Sequence, residues 1–304
     1  MTMKRIVLLP ALALPALPAL AAEAEHGAGH AGGHGEGFLG GLAYSATDPV
    51  TFTAFTPGRN WGELHYANAQ PSTYCYTEIM QAGRSPKVGH SNSGPTVRAS
   101  RSSLVFDHAS LTDNAGKIMH ATDGTELTFL HTLFARSVMG PEISRTGLLF
   151  EDGWIMEMRA KDDADGIYIH DQLAGQSCRL VRSVIAGTDD DGVDTLGSDV
   201  AIEDCIIRGC KDKAVSVYGG RTAISHCLLV GNNLAPEDTT NAAVAAKAFE
   251  GSMAVVTVEH TTLVATRTPG HVDVGIESHN KTGVKSGRIF YSLIDSIVDA
   301  TLPV

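Results

Sequence analysis

Short strands recur along this chain at intervals of 22 to 26 residues, a spacing that points to coils stacked on one another. Three Asp-rich strand starts carry it best: Asp163-Ala164-Asp165-Gly166-Ile167, Asp190-Asp191-Gly192-Val193-Asp194 and Asp212-Lys213-Ala214-Val215. With Ile167, Val193 and Val215 as equivalent inward positions, the steps are 26 (193 − 167) and 22 (215 − 193) residues, about one turn of a parallel β-solenoid. Asp165, Asp191 and Lys213 then stack. Neighbouring strands lie about 4.8 Å apart, so carboxylates crowd one surface spot and repel one another unless a cation or a lysine neutralises them.

A column of small residues repeats in the same rhythm: Ala109, Thr132, Ser183, Cys205, Cys227 and Thr261, with Ser292 expected to continue it. Its steps of 23 (132 − 109), 22 (205 − 183) and 22 (227 − 205) residues match those of the acidic strand starts. The 51-residue gap from Thr132 to Ser183 leaves room for a further turn around Glu151 to Met158, and residues 234–241 read as an inserted loop. His108, His131, His226 and His260 fall on a polar corner beside this column, where a solvated ladder is the expectation. No sustained helical period occurs, so the fold class is all-β, a single-stranded parallel β-helix spanning 47–304 in one domain without a recognisable C-terminal cap. With 6% aromatic residues, the interior is expected to be ladders of Val, Ile and Leu rather than rings.

The first 22 residues have the form of a secretory signal: Lys4-Arg5, an apolar run broken by Pro10, Pro15 and Pro18, then small residues at Ala19 to Ala22. Export to the periplasm or medium is expected, with no membrane span left after cleavage. Residues 23–46 are a Gly/His-rich tract carrying His26, His30 and His34, read as a flexible linker. The five cysteines cannot all pair within one chain, and Cys178, Cys205 and Cys227 fall on inward positions, where buried thiols are expected. No CxxC pair supports zinc or thioredoxin chemistry. A formal charge of −11 argues against nucleic acid and anionic membranes as partners.

From about Trp61 to Asp299 the chain resembles the right-handed parallel β-helix of pectate-lyase-like proteins. The run Asp189 to Asp194 followed by Asp212 to Val217 is similar to motifs of exported bacterial β-helix proteins, some carrying lamin-tail or spore-coat-kinase-like modules. Locally, Asp163 to Gly166 with Asp190 to Asp194 resembles the calcium site of family 9 polysaccharide lyases. That resemblance implies a Ca2+ site at Asp165, Asp190, Asp191 and Asp194. In that family a lysine follows the inward apolar residue of a later strand, whereas this chain has Ser216 there.

The function these residues suggest is calcium-dependent β-elimination from an acidic polysaccharide. A cation binds the C6 carboxylate and acidifies the C5 proton, and a base on the same face removes it. Lys213 and Lys247 are the candidate catalytic bases. Lys247 is preferred because it lies on an outward column with His170, Leu196, Tyr218 and His279, while Lys213 can be consumed by Asp165 and Asp191. Two alternatives stand beside the lyase: a non-catalytic monomeric β-helix binding surface glycan or an envelope component, and a polygalacturonase-like hydrolase using paired acids.

Overall fold

The computed structural model describes residues 48–161, 163–232, 234, 242–264, 274–278 and 285–300. The leader, the Gly/His tract, nearly all of the inserted loop and the last four residues lie outside the described residues. All pairings between the strands of the two sheets are parallel, one sheet having ten strands and the other sixteen. Among the described residues there is no α-helix, only a 3-10 turn at His90–Asn92. The chain is a parallel β-helix. Each coil crosses the larger sheet twice and the smaller sheet once, and the larger sheet's two faces fuse in the eleven-residue strands Val193–Glu203 and Val215–Ser225. Gly197, Gly219 and Gly220, with φ of +62°, +75° and +79°, let these strands bend where other coils place a loop.

The register read from the sequence holds. Ile167 pairs with Val193, Val193 with Val215, Val215 with Val244 and Val244 with Ile276. The Asp-Gly pairs at the strand starts follow from how tightly the coils stack. A Cβ on Gly140 or Gly166 would run into the carbonyl oxygen of Gly166 or Gly192 on the next coil.

The interior differs from the expected aliphatic ladder at its N-terminal end. Tyr74, Phe106, Phe129 and Phe150 occupy one inward column; the first three stack, with centroids 4.8 Å apart for Tyr74 and Phe106 and 5.4 Å for Phe106 and Phe129, and Phe150 is tilted against Phe129. The same column continues as Leu180, Ile202, Ile224 and Val258. Few aromatics suffice because they are concentrated in consecutive coils, a distribution that overall composition does not reveal.

The small-residue column is a hydrogen-bond ladder. Tyr76, His108, His131, Asp152, Arg182, Asp204, His226, His260 and Asp295 all take φ between +45° and +54° at the corner, and the residue after each points inward. That corner leaves an N–H needing an acceptor, and the next coil supplies it. Gly153 N donates to Ser183 Oγ (3.1 Å), Cys205 N to Cys227 Sγ (3.4 Å) and Cys227 N to Thr261 Oγ1 (3.2 Å). Each hydroxyl or thiol donates in turn to the carbonyl two residues back, as Ser183 Oγ does to Val181 O at 2.7 Å. Cys205 and Cys227 are therefore free buried thiols that act as polar members of the ladder, beyond apolar filling. The ladder continues at Ser296, whose Oγ accepts from Thr261 N at 3.2 Å, and not at Ser292, which pairs with Thr257 inside a strand. The step from Thr261 to Ser296 is 35 residues (296 − 261), well beyond one standard turn, so the period does not fix which serine continues the ladder.

Candidate functional site

Asp165, Asp190 and Asp191 come together at the corner preceding the strands Ile167–His170 and Val193–Glu203, each offering a carboxylate oxygen within 4.8 Å of the others. All three also serve the coil stack: Asp165 Oδ1 accepts from Asp191 N at 3.2 Å, and Asp191 Oδ1 from Lys213 N at 2.8 Å. Asp190 Oδ2 accepts from Asp163 N at 3.1 Å. Burial followed by the neighbouring Asp194, Asp191 and Asp190 charges pushes the Asp165 carboxyl well above its ordinary range. Burial and then Asp191 and Asp212 push Asp190 up to about 7. Three acids at carboxylate spacing, with Asp165 and Asp190 held above their ordinary range, form a site short of positive charge.

Asp194 stands outside that tight group, facing outward at the start of its strand. It too is pushed up to about 7, by burial and then by Asp191, with the Lys247 and Lys213 charges working in the opposite direction. Lys213 is buried. Its Nζ lies 3.1 Å from Asp191 Oδ1 and bonds Asp212 Oδ2, so the partners are Asp191 and Asp212 rather than Asp191 and Asp165. Burial opposes its charge, but the two carboxylates outweigh burial and hold its proton above the usual lysine range.

Lys247 ends the strand Ala242–Lys247 in register with Tyr218, its Nζ 5.4 Å from the Tyr218 ring centroid. Tyr218 pairs with Leu196 and Leu196 with His170, the outward column expected from the sequence; His279 lies outside the described residues. Two residues back along each strand runs a parallel column of Arg98, His120, Glu142, Tyr168, Asp194 and Ser216. Ser216 occupies the place where the family 9 lyases carry a lysine, and it is fully buried.

The Glu142 end of that column is a cluster the sequence reading missed. Lys117 Nζ, fully buried, bonds Glu142 Oε2 and donates to Val88 O at 2.7 Å and His90 O at 2.5 Å. The His90 backbone N–H donates to both Glu142 oxygens at 3.0 and 3.1 Å, tying residues 88–92 down onto the face. The His90 ring stands edge-on to Tyr168 at 4.6 Å, and Tyr168 stacks on His170 at 4.7 Å. Burial opposes the charge on Glu142, yet His170, Lys117 and His90 outweigh it and hold the carboxyl far below its usual range. His170 is shifted up, since Glu142 and Asp171 overcome its burial. The signal was present: Glu142, Tyr168 and Asp194 are spaced by 26 and 26 residues (168 − 142, 194 − 168), the same register extended one coil further back.

At the N-terminal end a cavity of about 460 Å³ is lined by Arg59, Arg84 and Lys87 with no acidic residue in its wall. It is a locally basic spot on an acidic protein.

No protein-family model matches the chain, and no curated protein matches it. Solved structures do. A mutant of the periplasmic alginate epimerase AlgG aligns with a TM-score of 0.52 at 9% identity, covering 81% of this chain and 64% of that one, so the chain spans less than two thirds of that protein's length. The protein is a right-handed parallel β-helix. Looser matches are an alginate lyase from Paenibacillus sp. str. FPU-7 (TM-score 0.37, 12% identity, covering 84% of this chain and 85% of that one) and the A-module of a mannuronan C-5 epimerase from Azotobacter vinelandii (0.36, 11%, 78% and 74%).

Proposed function

We propose that this is an exported enzyme that modifies an acidic polysaccharide by removing the C5 proton of a uronate, with β-elimination as the outcome. The observation that carries the reading is the placement of Asp194, Tyr168, His170 and Lys247 on one outer face beside the carboxylate group of Asp165, Asp190 and Asp191. The neighbour in the periplasmic epimerase supports a polysaccharide substrate at the level of the fold it shares. The leader sequence supports export. The basic cavity at Arg59, Arg84 and Lys87 removes an objection from net charge, because an anionic chain lying along the helix meets a positive field at that end.

In this reading Asp165, Asp190 and Asp191 hold calcium, with Asp194 completing the set. An all-oxygen donor group suits Ca2+, and ligand oxygens about 2.4 Å from a common ion lie no more than about 4.8 Å apart. When bound, the ion would neutralise the uronate carboxylate and acidify C5. Lys213 keeps Asp191 and Asp212 neutralised and anchors the corner. Lys247 takes the C5 proton, and Tyr168 and His170 line the sugar's other side.

The test is incubation with alginate, pectate and glycosaminoglycans with and without calcium. Both the absorbance of unsaturated ends and deuterium uptake at C5 from heavy water should be followed. Unsaturated ends are the expected result. Deuterium uptake without chain cleavage would keep the proton abstraction and replace elimination by epimerisation. Tight binding with neither change would leave a glycan-binding protein.

The cation assignment has its own signature in stability. Asp190 and Asp194 bind protons more tightly folded than unfolded, so the stability they contribute is fully present below about pH 4 and is lost as pH rises toward 7. In chelator the coupled set should cost roughly 2–4 kcal/mol across that window. Millimolar calcium should restore the melting temperature near pH 7.5, because only the folded chain has the site. Asp191→Ala should abolish the restoration; equal melting curves with and without calcium would reduce the acids to ladder members.

A further inference from the structure

We propose a second metal site, for a borderline divalent ion such as Zn2+, at Asp107, His108 and His131, on the corner between the larger and the smaller sheet and separate from the acidic group. His108 and His131 occupy the same corner position on adjacent coils, at φ +51° and +49°. The left-handed corner turns both side chains outward from a rigid stack. Their rings lie face to face with centroids 4.3 Å apart, and both Nδ1 atoms converge on one oxygen: Asp107 Oδ1 is 2.8 Å from His108 Nδ1 and 3.1 Å from His131 Nδ1.

The metric suits a metal. Ligands about 2.05 Å from tetrahedral zinc sit roughly 3.3 Å from one another, so the two nitrogen–oxygen separations need to open by only a few tenths of an ångström to admit the ion. Two imidazoles and one carboxylate match Zn2+, Cu2+ or Ni2+ and are too nitrogen-rich for Ca2+ or Mg2+. The rings are about half exposed, at 44% and 49%, so an ion can enter and the fourth position is open to water. On binding, each Nδ1 gives up its hydrogen bond to Asp107 and coordinates through its lone pair, while the ring proton resides on Nε2. The second histidine pair, His226 and His260, lacks this convergence on one carboxylate oxygen. Those rings stand 5.1 Å apart, and the His260 Nε2 turns aside to Glu259 at 3.5 Å.

The test uses the full chain with His26, His30 and His34 changed to alanine, so that the N-terminal tract does not compete. Titration with Zn2+ should give one tight equivalent, and Co2+ should give a visible tetrahedral spectrum. Long-range proton–nitrogen spectra should show two histidine Nδ1 signals shifting together. His131→Ala and Asp107→Asn should each weaken binding at least about tenfold while leaving the melting temperature of the metal-free protein within a few degrees. These are exposed corner side chains, where substitutions cost little. Shifts of other rings, or Zn2+ affinity unchanged in both variants, would overturn the site and leave Asp107 as a hydrogen-bond acceptor for two solvated histidines. None of these readouts depends on turnover or on calcium.

Discussion

Replacing Lys247 with alanine is expected to lower uronan elimination by on the order of 10²–10⁴-fold, with calcium binding and the fold unchanged. Lys247 is fixed at the end of a paired strand with its ammonium over the Tyr218 ring, and its charge acts on Asp194 across the face. A base held by a strand keeps its geometry when the neighbouring contact is lost, so the loss belongs to proton transfer. Lys213→Ala makes the contrast. Lys213 is buried between Asp191 and Asp212, which hold its proton rather than release it, so its removal should lower the melting temperature and metal affinity first. Initial rates of unsaturated-end formation, read beside thermal melts, separate the two. Full activity in both variants would remove lysine from the mechanism and turn attention to His170 and Tyr168, which stack beside Asp194 on the preceding coil.

The register of the coil was legible because every apolar inward position repeats with it. Val193, Val215, Val244 and Ile276 could be aligned by eye, and that alignment carried Lys247 correctly to the column of Tyr218, Leu196 and His170. What escaped was contributed by segments that break the period. Residues 88–92 leave the coil and return to it over Glu142, so the contact between His90 and Glu142 spans 52 residues and belongs to no repeat. The same cause displaced the end of the small-residue column from Ser292 to Ser296. Periodicity also says which residues stack without saying what their polar atoms do. That the acids at 165 and 191 accept backbone N–H groups from the next coil, and that the thiols at 205 and 227 are ladder members, are matters of hydrogen-bond direction that spacing alone does not express.

The largest stability loss is expected at Glu142. Lys117 and Glu142 are both essentially inaccessible to solvent, and the ammonium's other partners are the Val88 and His90 carbonyls. Glu142→Leu removes the counter-charge while leaving the ammonium buried, and such half-removed pairs typically cost about 3–5 kcal/mol. It also frees the His90 N–H from its acceptor, so residues 88–92 should become a preferred site of proteolysis. Burial already lowers the Lys117 proton affinity and Glu142 opposes that, so the variant should discharge the lysine at lower pH than the wild type and recover part of the loss there. Pairing the change with Lys117→Met removes both charges and should restore most of the stability, because an apolar pair of similar volume avoids the desolvation that an ion pair must offset. Denaturant unfolding of the two single variants and the double variant measures the coupling directly. Additive losses would mean that the two side chains do not act as a pair. A large favourable coupling is the expected result, and with cleavage at residues 88–92 in Glu142→Leu it would identify Glu142 as the anchor that holds the His90 segment against Tyr168, and with it the shape of the face on which the sugar is proposed to lie.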